Sequence, residues 1–374
     1  MTDAVLGYDI SFDDLYVQEG LSRLDRRFLD RLAGADQELA NRLLAARSRP
    51  DALEPKAESD LLISLAPHVE DFLAGLFGIR AELDALIARH QKLEPLYVAK
   101  RLFVQRRASK GIKAEEAAGF DGAALTAEMT ALIGADFDEV AFAHAVNNWT
   151  GKEDENADKL AVALRYAAWA LHAPEGRARH GDGVLFQVPA KLDFEKLVPV
   201  ETVEIGGVTM MRLPEHDRRQ REGFDLTDPG TDLKGALDET NYCIWCHNQG
   251  RDSCSKGLKD RKTNAWRKSH FGVTLTGCPL EEKISEFHAL KTQAVPVGAL
   301  AMIAVDNPLC AATGHRICND CMKACIYQNQ KPVDIPQAET RTLKDILELP
   351  FGFEIYSLLT RWNPLDIRRP MPKP

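Results

Sequence analysis

Cys243-Ile-Trp-Cys246, Cys254, Cys278-Pro279, Cys310 and Cys318-Asn-Asp-Cys321-Met-Lys-Ala-Cys325 together hold all eight cysteines of a 374-residue chain. Thiols gathered into one stretch in this way form a ligand pattern. Each C-x2-C spacing sets two thiolates about one turn apart, close enough to share a metal centre. Cys325 joins the same side if its run is helical. Eight soft sulfur ligands suffice for two centres.

Three chemistries compete for them. A disulfide framework suits small secreted chains, whereas this one lacks an apolar N-terminal segment and is long enough to build a core. Structural zinc is the serious rival. Cys243 and Cys246 with Cys318 and Cys321 make a four-thiolate site, but the pairs lie far apart for a zinc ribbon and half the cysteines go unused. Iron-sulfur ligation explains more of the pattern. In two-cluster ferredoxin arrangements the Cys before Pro ligates the other cluster, and Cys278-Pro279 has that form. The order C-x2-C-x3-C at 318, 321 and 325 is the reverse of that in radical enzymes using S-adenosylmethionine, so that chemistry is not indicated.

Three blocks carry a resemblance: Cys243-x2-Cys246 with Cys254; Gly277-Cys278-Pro279-Leu280 with Ile284 and Phe287; and Thr313-Gly314-His315-Arg316-Ile317-Cys318 with Cys321, Cys325, Pro332-Val333-Asp334-Ile335 and Glu339. Residues 241–345 thereby resemble the N-terminal double 4Fe-4S domain, alpha-helical and ferredoxin-like, of the glutamate synthase small subunit and dihydropyrimidine dehydrogenase. The resemblance implies that Cys243, Cys246, Cys254 and Cys325 hold one 4Fe-4S cluster. It implies that Cys278, Cys318 and Cys321 hold a second, with Glu339 as its non-cysteine ligand. Cys310 has no counterpart there and is either a free buried thiol or a substitute for Glu339. The chain departs from the family in its spacers, since residues 247–253 and 255–277 replace much shorter connections.

The rest of the chain frames this stretch. Its composition, 45% hydrophobic and 28% charged, is that of an ordinary globular protein of two or so domains. A net charge of -9 argues against general nucleic-acid or anionic-membrane partners. No apolar run reaches the roughly 18 residues that a spanning helix needs. Ligand thiols favour a reducing compartment, so a cytoplasmic location is expected.

The expected fold class is mainly α. Residues 1–180 read as a helical domain of unknown role, because Leu21, Leu24, Phe28 and Leu32 recur at helical spacing. So do Leu61, Leu62, Leu65, Val69, Phe72 and Leu73, and again Leu160, Leu164, Ala168 and Leu171. Ser59 is a candidate cap, and Pro67 a candidate kink. Residues 181–240 read as a small antiparallel β patch and a connection, with strands over Val184–Val188, Val203–Ile205 and Val208–Met210 and a Gly206-Gly207 turn. Residues 241–346 form the expected cluster domain, with helices over Glu281–Lys291, opened by Pro279, and Thr340–Trp362. Residues 347–374 read as a C-terminal helix and a Pro-rich linker.

Between the cysteines, Arg251, Lys256, Lys259, Arg261, Lys262, Arg267 and Lys268 outnumber Asp252 and Asp260. They are a solvated loop, or they dock an acidic or phosphorylated partner. Trp245 is expected to shield a centre from water. No G-x-G-x-x-G loop for a dinucleotide occurs. FAD and NAD(P)H are therefore expected on a partner or a missing domain, with this chain the electron-transfer portion of a split or truncated flavoprotein oxidoreductase. The alternative is a zinc-stabilised, non-catalytic interaction module.

Overall fold

In the computed structural model, which describes residues 6–371, Leu21, Leu24, Phe28 and Leu32 form the buried face of helix Gln18–Ala35. Residues 372–374 of the expected linker lie outside the described part, as does the side chain of Arg316. Asp36 ends this helix and caps the next, Gln37–Ser48, by accepting from the Leu39 N–H at 2.8 Å. The long helix Pro55–Phe77 starts from Glu54 with Pro at its first position and ends at Gly78, whose φ of 67° suits the left-handed cap.

This helix runs through Pro67 without interruption. One expectation fails in it. Ser59 lies inside it rather than capping it, its hydroxyl donating to the Pro55 carbonyl and to Glu286. Glu70, buried on the same helix, accepts from the N–H groups of Val297 and Gly298 and so caps helix Pro296–Asp306 from across the core.

Among the described residues the protein is mainly α-helical, with one two-stranded antiparallel sheet. Strands Glu201–Ile205 and Val208–Arg212 pair with Val203 opposite Met210, and the turn glycines 206 and 207 have φ of 62° and 78°. That pair of positive angles is what a tight hairpin demands. Residues 184–188 are not a strand. The backbone N–H groups of Val184 and Leu185 are taken by the Glu139 carboxylate, and Val184, Leu185 and Phe186 are buried among helices. No helix among the described residues is long and apolar enough to cross a membrane.

The hydrophobic cores cut across the ranges suggested by sequence character. One core joins the first helices to Ile284–Thr292, Pro296–Asp306, Ile335–Leu347 and Gly352–Leu359. At its centre Phe28, Phe72 and Trp362 meet at ring distances of 5.5–5.9 Å, and the Trp362 indole donates to Asp25 at 3.0 Å. The segment read as the start of a linker is thus packed chain, with Trp362, Leu365 and Ile367 buried. A second core gathers residues from Leu96 to Phe186 with Leu237, and a small third cluster joins Ile112, Ala117 and Ala168.

Three helix boundaries near the cysteines also differ from expectation. Helix Ile284–Thr292 begins after Pro279, because Glu281 has φ of 51° and Lys283 is only half-turned into it. Thr340–Trp362 is two helices, Ile335–Leu347 and Gly352–Leu359, broken where Phe351 takes φ of 57°. The Cys318–Cys325 run is not one helix: Cys318 is extended and only Asp320–Lys323 turns helically.

Candidate metal centres

That broken run decides how the thiols group. With Cys318 extended and a single turn between Cys321 and Cys325, the run faces two ways. Cys325 joins Cys243, Cys246 and Cys254, all close enough for their charges to act on one another, and the thiols of Cys254 and Cys325 are hydrogen-bonded. Cys321 and Cys318 instead neighbour Cys278, together with Glu282 and Glu339.

The long spacer between Cys254 and Cys278 is a closed excursion. The N–H of Cys278 donates to the carbonyl of Cys254 at 2.8 Å, so residues 255–277 leave and return to one place. Gly257 and Gly277 seal its base. Both have positive φ, and a Cβ on Gly277 would stand 2.5 Å from the Gly257 nitrogen. Beyond the base, short antiparallel bridges join Lys259 to Trp266 and Lys268 to Thr274. The loop walls one side of a cleft of about 1540 Å³, to which Arg251, Lys259, Arg261 and Lys262 contribute.

In the first group Cys246, Cys254 and Cys325 are buried and Cys243 half-buried. Backbone N–H groups point at three of these four sulfurs. Trp245, held at φ of 53°, donates to Cys243 at 3.4 Å; Ser253 donates to Cys246; and Ile326, Tyr327 and Val333 donate to Cys325. The Cys254 thiol and these amides hold Cys325 down to about 7, while burial pushes Cys243 up to about 12 and Cys246 up to about 11. Asp252 lies beside them and is pushed up to about 7 by burial and by the charge of Glu286.

The second group is more acidic. Cys321 is buried, Cys278 half-buried and Cys318 exposed. Cys278 receives N–H groups from Glu282 and Leu280. Glu339 is buried with one oxygen accepting from Asn307 at 2.8 Å, and burial pushes its carboxyl up to about 7. Cys310 is buried next to it and to Glu282, pushed up to about 12 by burial and the Glu339 charge.

Sequence reasoning missed Glu282. It is buried, its Oε1 has no hydrogen-bond partner, and burial and the Glu339 charge raise its carboxyl well above the ordinary range. The nearest signal was the pair Glu281-Glu282 after Cys278-Pro279, which read as the opening of a helix. Among the described residues no three His, Cys, Asp or Glu side chains converge closely enough to hold a metal ion.

Comparison with known proteins places the chain. Over 301 residues it is 32% identical to the uncharacterized protein RP005 of Rickettsia prowazekii (strain Madrid E), covering 77% of this chain and 98% of that protein. The chain belongs to the RP005 family. Residues 6–78 match the model of the RP005 N-terminal alpha-helical domain, which here comprises the helices from Gln18 to Phe77. The uncharacterized protein RP006 of the same organism is 68% identical over 63 residues, 17% of this chain and 9% of that protein. No solved structure matches.

Membership of the RP005 family overturns the resemblance to the glutamate synthase small subunit and dihydropyrimidine dehydrogenase. Short Cys-x2-Cys and Cys-Pro blocks recur wherever several thiols are set close together, so by themselves they do not show descent. In this RP005 family member the first helices, through Leu86, share one core with most of the cysteines.

Proposed function

We propose that this protein is an iron-sulfur electron-transfer module, with Cys243, Cys246, Cys254 and Cys325 holding one 4Fe-4S cluster and Cys278, Cys318 and Cys321 a second. Glu339, Glu282 or Cys310 completes the second set. The observation that carries the reading is the gathering of acidic ligand groups into two neighbourhoods with no cation, among the described residues, free to pair with them. Thiols and carboxylates are concentrated in two buried places, and the lysine nearest the second, Lys283, is already engaged by Asp306 and Glu58. Burial without a counter-charge holds these thiols and carboxyls toward their neutral forms, and a cationic occupant makes thiolate and carboxylate the favoured forms.

When bound, such clusters take up and release single electrons. The chain sets the conditions. N–H groups on Cys243, Cys246 and Cys325 stabilise charge on sulfur, and Trp245 with the stacked Tyr242 and Tyr327 rings screens the first group from water. The second group, with carboxylates beside its thiols, favours an occupant of higher positive charge. Electrons reach such a module from a flavin, which splits the hydride of NAD(P)H into single electrons. An FAD/NAD(P)H-dependent partner and a reducing, cytoplasmic setting belong to the same proposal.

The test is iron, sulfide and zinc analysis of anaerobically purified protein, with an absorption spectrum of the same sample. About eight iron and eight sulfide per chain, with absorption bleached on reduction, is the expected result. Stoichiometric zinc without iron overturns it.

A further inference from the structure

The segment Lys100–Ala108 is wound as a π-helix of nine residues, continuing helix Arg80–Ala99. Such winding is rare beyond a single turn and gathers at functional sites. Its effect here is on register. Bonds from i to i+5 bring residues four and five apart onto one side, so Arg101, Gln105, Arg106 and, a turn later, Lys110 share a face. At the α-helical spacing of about 3.6 residues per turn, Arg106 and Lys110 would point away from Arg101.

All four residues line a cleft of about 600 Å³, within the roughly 300–1,000 Å³ of small-molecule sites. Its other cations are matched: Lys100 lies 2.6 Å from Asp238, and Lys331 lies 3.1 Å from Glu239. Arg101, Arg106 and Lys110 enter no ion pair among the described residues. The facing wall is different in kind. Tyr242 and Tyr327 are stacked there, 4.5 Å apart and 10° from parallel, beside the side-chain amides of Asn241 and Gln330.

Unmatched guanidinium groups bind phosphate through paired, charge-assisted hydrogen bonds. Flat aromatic rings and amides recognise a planar heterocycle by stacking and hydrogen bonding. From this pairing of surfaces we propose that the cleft between the π-helix and Tyr242/Tyr327 binds a mononucleotide-class ligand, a phosphorylated heteroaromatic molecule. The phosphate sits on Arg101, Arg106 and Lys110, and the ring lies toward the tyrosines. Cys243 lines the same cleft, so the ring lies next to the first thiol group. The assignment of this cleft stands whether or not the cysteines hold clusters.

The test uses the full chain, purified anaerobically, with FMN, AMP and inorganic phosphate as probes in separate titrations, read by calorimetry and by FMN fluorescence. Saturable binding of FMN, AMP or both is expected, with phosphate alone at least about tenfold weaker because it forfeits the stacking. The exposed-site variants R106E and K110E, checked for unchanged melting, should each weaken nucleotide binding by about tenfold or more. Failure of both nucleotides to bind, phosphate binding as tightly as either, or affinities unmoved by R106E and K110E would overturn the assignment.

Discussion

The N–H of Cys278 bonds to the carbonyl of Cys254, although residues 255–277 lie between them. Sequence distance and spatial distance part company here, and the two thiol groups meet at that bond. The loop distal to the Leu258 N–H and Leu275 carbonyl, which are themselves bonded at 3.0 Å, is therefore dispensable for the core. Replacing residues 259–274 with Gly-Gly should leave the melting temperature within about 5 °C and the metal content unchanged. Calorimetry and metal analysis on the shortened protein check this.

Gly277 cannot be spared in the same way. Its φ is 84°, and an added Cβ meets the Gly257 nitrogen at 2.5 Å and the Ser255 carbonyl at 2.7 Å. Gly277→Ala should cost about 1–3 kcal/mol or more and spread Cys254 from Cys278. Denaturant unfolding reads the first effect, and loss of bound metal the second.

Glu282 separates two states of the second thiol group. Without a cation there, burial raises the Glu282 carboxyl well above its unfolded value, which costs stability once the unfolded chain's carboxyl is ionised, so at neutral pH Glu282→Gln should melt higher in chelator-stripped protein. With the group loaded, the same change should lower its metal retention while the first group keeps its own. Melting of both forms, with electron paramagnetic resonance on the reduced loaded protein, tests both halves.

Trp362 clamps the first core. Its ring packs on Phe28 and Phe72, and its indole satisfies Asp25, which also pairs with Arg47 at 2.8 Å. Trp362→Ala should cost about 3–5 kcal/mol, more than Trp266→Ala on the exposed loop. Chemical denaturation of the two variants gives the comparison.

The Glu70 carboxyl is pushed up to about 8, chiefly by burial, from an ordinary value of 4.5. Between those values the folded chain keeps a proton that the unfolded chain has lost, so stability falls as pH rises through the window. Glu70→Gln keeps an acceptor for the Val297 and Gly298 N–H groups and removes the titration. Measured from about pH 5 to pH 8, the wild type should lose more melting temperature than the variant.

Much of the fold was legible because helical periodicity is a local signal. The stripes at Leu21 to Leu32 and Leu61 to Leu73 are buried as read, and Gly206-Gly207 turned the hairpin it implied. What failed depended on partners remote in sequence. Val184–Val188 alternates like a strand, but the N–H groups of Val184 and Leu185 go to Glu139 and the side chains of Val184, Leu185 and Phe186 to a helical core. Ser59 resembles a cap, but Glu286 claims its hydroxyl. At the candidate centres the thiols were visible as residue types. Their sorting into two neighbourhoods depends on the extended backbone at Cys318, and the burial of Glu282 depends on the chain around it; no motif encodes either.

The shared core also has a consequence in time. Ribosomes add roughly 5–20 residues per second, so Trp362 emerges on the order of tens of seconds after Phe72, the ring it must cover. Through that interval the apolar faces of helices Gln18–Ala35 and Pro55–Phe77 have no final partner, and the nascent chain must be kept from aggregating. Completion of the first core thus waits for Trp362, and the cysteines, all ahead of it in the chain, leave the ribosome before the scaffold that sorts them closes.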